Sequence, residues 1–247
     1  MNLIIDIGNT STKIFIFSES RVVNWLQTSN MTIKILNELF IKYPKITNCI
    51  VSSVKLGYES EIDFLKKKCQ ECIVMSHTTP LPIRNHYETP QSLGLDRLAA
   101  AVGAWYHKPD TNSLIIDAGT AITIDILTCK AEFLGGNISP GIQMRYRALH
   151  EFTGKLPLVE NKEIDRLWGR NTTEAIRLGV QLGAEYELQA YINTYKSLYE
   201  SLTVFISGGD SFFFVKKLKN TIFAPNLVAE GLHEILLRNQ QKKLNLF

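Results

Sequence analysis

Two short stretches carry residue types suited to phosphate and metal chemistry. Residues 3–17 read LIIDIGNTSTKIFIF, and residues 114–128 read LIIDAGTAITIDILT. In each, an aliphatic run ends in a carboxylate, Asp6 or Asp117, two residues before Gly8 or Gly119. Ile7 and Gly8 open a tight turn, because glycine brings no Cβ to clash. Asn9, Thr10, Ser11 and Thr12 then offer hydroxyls, an amide and backbone N–H groups, a donor-rich set for phosphate oxygens. Lys13 adds a point charge. Asp6 repels phosphate directly, so its natural task is to hold a hydrated Mg²⁺, which binds through few carboxylates and keeps its waters. The second stretch supplies Asp117, Gly119, Thr120 and Thr123. A single such hairpin reads as an ordinary polar turn; two in register read as clamps on phosphates, facing each other across a cleft.

A third cluster is GLDR, Gly94-Leu95-Asp96-Arg97, just before the alanine-rich run LAAAVGAWYH. An Asp at a helix start gains from the helix dipole, which is its plain structural reading. Its chemical reading is a proton acceptor for an attacking hydroxyl, with Arg97 holding an anion. Phosphoryl transfer needs mostly positioning and charge neutralisation, with one carboxylate orienting the nucleophile.

The elements that must position these residues recur in one order. Strands are expected at 2–7, 11–17 and 21–27, a helix at 31–43, a strand at 46–54, a helix at 59–70 and a strand at 72–76. A proline-punctuated loop over 78–90 leads to a helix at 92–107. The second half repeats this with strands at 113–118, 121–128 and 132–136 and a helix from about 140. A long helix at 172–200, strand 203–207, helix 210–219, a short strand near 221–224 and helix 227–239 follow. Six of fifteen positions are identical when 3–17 is laid on 114–128, against about one expected by chance. The chain therefore reads as a duplication: an α/β protein of two domains with mixed sheets, 1–111 and 112–247, flanking a central cleft.

Composition bounds the rest. Of 247 residues, 45% are hydrophobic and 21% charged, an ordinary globular balance. A net charge of +3, from 27 basic and 24 acidic residues, gives no ground for nucleic acid or an anionic membrane as partner. No secretory signal and no membrane-length apolar run is visible, so a cytoplasmic protein is expected. Cys69 and Cys72 form a CxxC without a second such pair, and reduced thiols are the expectation.

The motifs together resemble those of a known family. There is no GxxxxGK[ST] and no GxGxxG after a strand. Two phosphate hairpins in duplicated β-β-β-α-β-α halves resemble the actin, sugar-kinase and heat-shock-chaperone superfamily, whose domains are ribonuclease-H-like. Within it, DIGNTSTK at 6–13, GLDR at 94–97, DAGTAITID at 117–125, GGNISPG at 135–141, GRNTTEAI at 169–176 and SGGD at 207–210 are similar, in order, to the motifs of type III pantothenate kinases. The resemblance spans nearly the whole chain. It implies ATP-dependent phosphorylation of pantothenate to 4'-phosphopantothenate, the first step of coenzyme A biosynthesis. It makes Asp96 the catalytic base, and Asp6 through Lys13 together with Thr120 the ATP contacts. Asp6 would hold Mg²⁺ through water, and Asp117 a monovalent cation, K⁺ or NH₄⁺. Tyr87, Gly94 to Arg97 and Thr172 would contact pantothenate, with Thr173 a neighbouring alternative. It further implies a homodimer with a shared active site. Thr172 itself reads as a helix N-cap, with Ala175 where a capping-box acid would stand. Two other readings stay open here: a different small-molecule kinase of the superfamily, and a nucleotide-binding regulatory protein on this fold without turnover. The Gly-x-Asp-Arg turn argues against the first, and the retained Asp6, Asp96 and Thr120 against the second.

Overall fold

The structure is a computed structural model and describes residues 1–244, with side chains through 241. The first half runs β1 (Asn2–Ile7), β2 (Thr12–Ser18), β3 (Arg21–Thr28), α1 (Ile33–Lys42), β4 (Asn48–Ser53), α2 (Glu59–Lys68), β5 (Glu71–Val74), β6 (Arg84–Asn85) and α3 (Leu95–His107). The second runs β7 (Asn112–Ala118), β8 (Ala121–Leu127), β9 (Glu132–Pro140), α4 (Ile142–Glu151), α5 (Thr172–Leu198), β10 (Leu202–Ser207), α6 (Ser211–Val215), β11 (Ile222–Phe223) and α7 (Leu227–Leu244).

The duplication is visible in the sheets. The first has the order β3-β2-β1-β4-β5, and the second contains β9-β8-β7-β10-β11. In both, the opening strand pairs antiparallel with the next one and parallel with the strand that follows the helices. Near-continuous apolar runs explain the central strands: Leu3, Ile4 and Ile5 are fully buried, as are Leu114 and Ile116, which is the pattern of strands covered on both faces. Each sheet has its own core. One gathers Leu3, Ile5, Ile14, Leu36, Val51 and Leu65; the other gathers Leu114, Ile116, Ile124, Tyr146, Val180 and Ile206.

The chain divides into two compact units. The first contains Met1–Pro109, Ala131–Phe133 and the chain from Leu227 onward; the second contains Asp110–Lys130 and Leu134–Asn226. Helix α7 packs on α3, β1 and β4, with Gly231 lying against the carbonyl of Ala99. The packing units and the duplicated segments are therefore different partitions of the chain, since the closing helix of the second copy packs with the first unit.

Local expectations need four amendments. The 78–90 loop contains β6, which pairs in parallel with Glu132 and Phe133, residues of the same unit. Helix α3 begins at Leu95, after a 3₁₀ turn at Pro90–Ser92, because Pro90 suits a first turn and Gly94 caps the helix. Strand β9 runs on to Pro140, so GGNISPG is mostly strand, with Gly135 at a φ of 105°. The helix expected over 210–219 is only Ser211–Val215. Among the described residues, no helix is long and apolar enough to cross a membrane.

Candidate active site

In the first unit, Asp6 stands at the carboxyl end of β1, the end at which open α/β sheets bind ligands. Its register partners are Lys13 on β2 and Ser52 on β4. Register partners share a face, so Lys13, Asp6 and Ser52 form a polar row across three strands. Ser52 is 1% exposed, and its Oγ has no hydrogen-bond partner. Between the strands, residues 8–11 make the turn, closed by the Gly8 N–H donating to the Ser11 carbonyl at 3.0 Å. Ser11 Oγ accepts from Gln27 Nε2 at 3.0 Å, which steadies the loop. Asn9 and Thr10 are exposed at its tip. Thr12 differs from its neighbours: it pairs with Ile7, its side chain is buried, and its hydroxyl turns inward without a partner.

The second unit repeats the row. Asp117 is the last residue but one of β7, with Thr123 opposite on β8 and Ser207 opposite on β10. The turn here is one residue shorter, 119–121, with the Gly119 N–H donating to the Ala121 carbonyl at 3.0 Å. The sequence identity of Thr12 and Thr123 is therefore not a structural equivalence. Thr123 occupies the place of Lys13, while Thr12 corresponds to Ile122. Two segments flagged from sequence brace this turn. Gly141 donates to the Thr120 carbonyl at 3.2 Å, and the Asp210 N–H donates to the Ala118 carbonyl at 2.8 Å. Gly208 sits at a φ of 91°, where a Cβ would lie 2.3 Å from the Ala118 carbonyl oxygen and 2.5 Å from Asp117 Oδ1. Burial raises the Asp210 carboxyl above its ordinary range.

Sequence reasoning missed Ser52, and met Ser207 only as the first residue of SGGD, without its place beside Asp117. Their signal is a serine in the last two positions of each of the matching apolar strands, NCIVSS and LTVFIS. Also missed was Arg145 on α4. Its Nε donates to the Pro140 carbonyl at 2.8 Å and its Nη2 to Ser139 Oγ at 2.6 Å, while the same Nη2 pairs with the Glu187 carboxylate on α5. This clamp holds the turn whose Gly141 bonds to Thr120.

The GLDR turn lies in the first unit. Asp96 Oδ1 accepts the Arg97 N–H at 2.9 Å and folds back over Gly94, where a Cβ would lie 2.4 Å from that oxygen. Only glycine leaves room for the carboxylate in this pose. Arg97 is 6% exposed. Its guanidinium lies 5.5 Å from the Tyr87 ring centroid and 6.0 Å from that of Phe133, within cation–π range. Pairing of β6 with β9, plus the His86 N–H donating to the Phe133 carbonyl at 2.9 Å, brings the Tyr87 segment there. Gly94, Leu95, Asp96, Arg97 and Tyr87 are thus one structural cluster.

Thr172 is exposed at the first position of α5. The cap is Asn171, one residue earlier, whose Oδ1 accepts the Glu174 N–H at 3.0 Å. Glu174 reaches back to the Arg170 N–H at 2.9 Å. A reciprocal cap of the capping-box kind exists after all, with Glu174 in the acidic position. That backbone bond, with Arg166 and Asn171 assisting, lowers the Glu174 carboxyl. The apolar stripe of α5, Ile176, Val180, Ala184, Leu188 and Ile192, faces the core of its own unit. Among the described residues, no group of three or more His, Cys, Asp or Glu is arranged to hold a metal.

Comparison with known proteins agrees with these motifs. Residues 2–194 match the family model described as type III pantothenate kinase. A type III pantothenate kinase of Phocaeicola vulgatus is 43% identical over 98% of this chain and 100% of its own length. One of Bacteroides fragilis is 44% identical over 97% and 98%. Among solved structures, a Campylobacter jejuni protein described as a Baf family transcriptional activator aligns with a TM-score of 0.64 and 21% identity over 97% of this chain and 99% of its own. The activator of 2-hydroxyisocaproyl-CoA dehydratase from Clostridium difficile, with ADPNP bound, aligns at 0.55 and 14% over 98% and 97%. At such identities these structures carry the two-domain actin-like kinase fold alone. The sequence matches carry more: this chain belongs to the type III pantothenate kinase family.

Proposed function

We infer that this chain transfers the γ-phosphoryl group of ATP to the primary hydroxyl of pantothenate, giving 4'-phosphopantothenate on the way to coenzyme A. The observation that carries the reading is the match, over essentially full length, to type III pantothenate kinases. The polar rows and the Gly94–Arg97 turn support the individual roles.

Asp96 accepts the proton of the attacking hydroxyl, and the fold-back over Gly94 presets its carboxylate. Arg97, held against Tyr87 and Phe133, fixes an anionic group of the substrates. The backbone of residues 8–13 and Thr120 bind the ATP phosphates. The donor chemistry fits the cations: Asp6 beside the unpartnered Ser52 Oγ offers oxygen to Mg²⁺, and Asp117 offers a carboxylate to K⁺ or NH₄⁺. When bound, Mg²⁺ neutralises charge on the transferring phosphates. Thr172 contacts pantothenate as a member of a cytoplasmic homodimer with shared sites.

The test is ADP release with and without pantothenate, in K⁺, NH₄⁺ and Na⁺ at constant ionic strength. Pantothenate-dependent turnover, faster in K⁺ or NH₄⁺, is expected. Asp96→Asn keeps an acceptor for the Arg97 N–H, so the fold survives while the rate falls about 10²–10⁴-fold. Wild-type turnover in that variant would falsify the base assignment, and equal rates in all three cations would remove the cation from Asp117. Mixing Asp96→Asn with Thr172→Val chains restores up to about a quarter of the activity if sites are shared across a twofold. No recovery despite verified subunit exchange would leave Thr172 serving its own chain or none.

A further inference from the structure

The kinase reading leaves one chemical cluster unused. Cys49 on β4 and Cys72 on β5 are direct register partners. Cys69, the cap residue closing α2, joins them. Cys49 and Cys69 belong to one core, against which Cys72 packs. All are free thiols, graded in exposure: Cys49 is fully buried, Cys69 is 8% exposed, and Cys72 is half-buried. Strand β5 is the edge of its sheet, so Cys72 is the member of the trio on an outer strand. The CxxC thus has a third companion that the sequence spacing does not reveal.

The arrangement is not a metal site, since no such cluster among the described residues is disposed to bind one. It has the division of labour of a dithiol instead. Neighbouring strands lie about 4.8 Å apart, inside the usual Cα separation of disulfide partners, roughly 4.4–6.8 Å. We propose that Cys72 and Cys49 form a thiol–disulfide exchange site, in which Cys72 takes up a small-molecule disulfide and buried Cys49 resolves it. Two features favour Cys72 as attacker. The neighbouring Cys49 thiol lowers the Cys72 thiol from its ordinary value, and Lys66 adds positive charge. The Cys69 and Cys72 sulfurs beside it, and then burial, push the Cys49 thiol up, which leaves Cys72 the readier thiolate.

The chemistry balances without another reagent. The Cys72 thiolate attacks one sulfur of R–S–S–R; a protein–S–S–R bond forms and RS⁻ leaves. Cys49, passing its proton to the departing thiolate, then attacks Cys72 Sγ and releases the second RSH. Two cysteine thiols are oxidised by two electrons, and one small disulfide is reduced to two thiols. The product ties edge strand β5 to β4. Exposed Cys129, in the other unit, is an internal reference for thiol reactivity without this environment.

The experiment treats the full chain with oxidised glutathione, quenches with an alkylating agent and reads intact mass and peptide maps. The expected product lacks two hydrogens and carries a Cys49–Cys72 bond. Cys72 should react at least about tenfold faster than Cys129, and dithiothreitol should restore four free thiols. Cys49→Ser should stop at the glutathione adduct on Cys72. Because that buried change risks the fold, Cys69→Ser is run beside it and should still give the Cys49–Cys72 bond. A wild-type chain that stops at the mixed disulfide, pairs different cysteines, or labels Cys129 as fast as Cys72 overturns the proposal.

Discussion

Gly208→Ala tests how the second polar row is held in place. Gly208 follows β10, the strand that sets Ser207 beside Asp117. Its φ of 91° lies where an L-residue is strained, at a cost of about 1–2 kcal/mol. The added methyl would sit 2.3 Å from the Ala118 carbonyl oxygen, 2.5 Å from the Ala118 carbonyl carbon and 2.5 Å from Asp117 Oδ1. The first two of these are backbone of a central strand, which yields poorly, so overpacking adds about 1–3 kcal/mol. A total near 3 kcal/mol is expected, which for a chain of this size lowers the melting temperature by about 6–12 °C.

The site should feel the same displacement. Relief requires the end of β7 and the Asp117 carboxylate to move away from Gly208, so the activity gained on adding K⁺ should shrink more than activity without it. Gly209→Ala is the matched control. A Cβ there meets no heavy atom within 4 Å, and its φ is outside the left-handed region. Thermal unfolding followed by circular dichroism, and turnover against K⁺ concentration, read both consequences. If Gly208→Ala unfolds within about 2 °C of Gly209→Ala, a shift worth less than about 1 kcal/mol, and keeps its K⁺ response, the close approach is not what holds the row.

Two further outcomes follow from the structure. Arg145→Ala should raise KM for ATP about tenfold with a smaller fall in kcat, because the clamp from Glu187 to Ser139 and Pro140 braces the turn bonded to Thr120; steady-state kinetics decide it. Buried His233 accepts from Asn2 Nδ2 at 3.0 Å and stacks on Phe17, and burial, helped by the positive N-terminus, pushes its pKa down to about 4. A depressed histidine leaves the unfolded chain binding more protons, so its stabilisation is present above about pH 6.5 and is lost as pH falls from there toward 4, about 3 kcal/mol in all. Denaturant midpoints at pH 7 and pH 5 should separate in the wild type and draw together in His233→Gln.

The parts of the fold written in local sequence were readable. The hairpins announce themselves because Asp-x-Gly and the flanking aliphatic residues all lie within fifteen positions. GLDR is equally compact, and its glycine has a local cause in the Asp96 carboxylate. What stayed hidden depends on register between distant segments. Ser52 meets Asp6 only through parallel pairing of β1 with β4, and Tyr87 meets Arg97 only after β6 pairs with β9. Cys49 joins the CxxC by the same kind of pairing. The Asn171 cap was a one-residue misplacement, caused by three adjacent residues that all cap well, Asn171, Thr172 and Thr173.

On the proposed reading, the duplicated hairpins are one device serving two cations. Both carboxylates stand one residue from the end of a central strand, and both have a serine beside them on the parallel neighbour. They differ across the antiparallel neighbour, where the one-residue change in turn length sets Lys13 opposite Asp6 but Thr123 opposite Asp117. A carboxylate facing an ammonium group is a weak direct ligand but a good acceptor for the water shell that Mg²⁺ keeps. Asp117 has a hydroxyl residue opposite it instead, and with Gly208 against it there is backbone rather than a bulky side chain at its flank. Such a flank suits the direct binding of the monovalent cation proposed for Asp117. Exchanging the facing residues tests this reasoning. Thr123→Lys should abolish the K⁺ response while ATP binding, read by calorimetry, persists; an unchanged K⁺ response would show that the residue opposite Asp117 does not choose its cation.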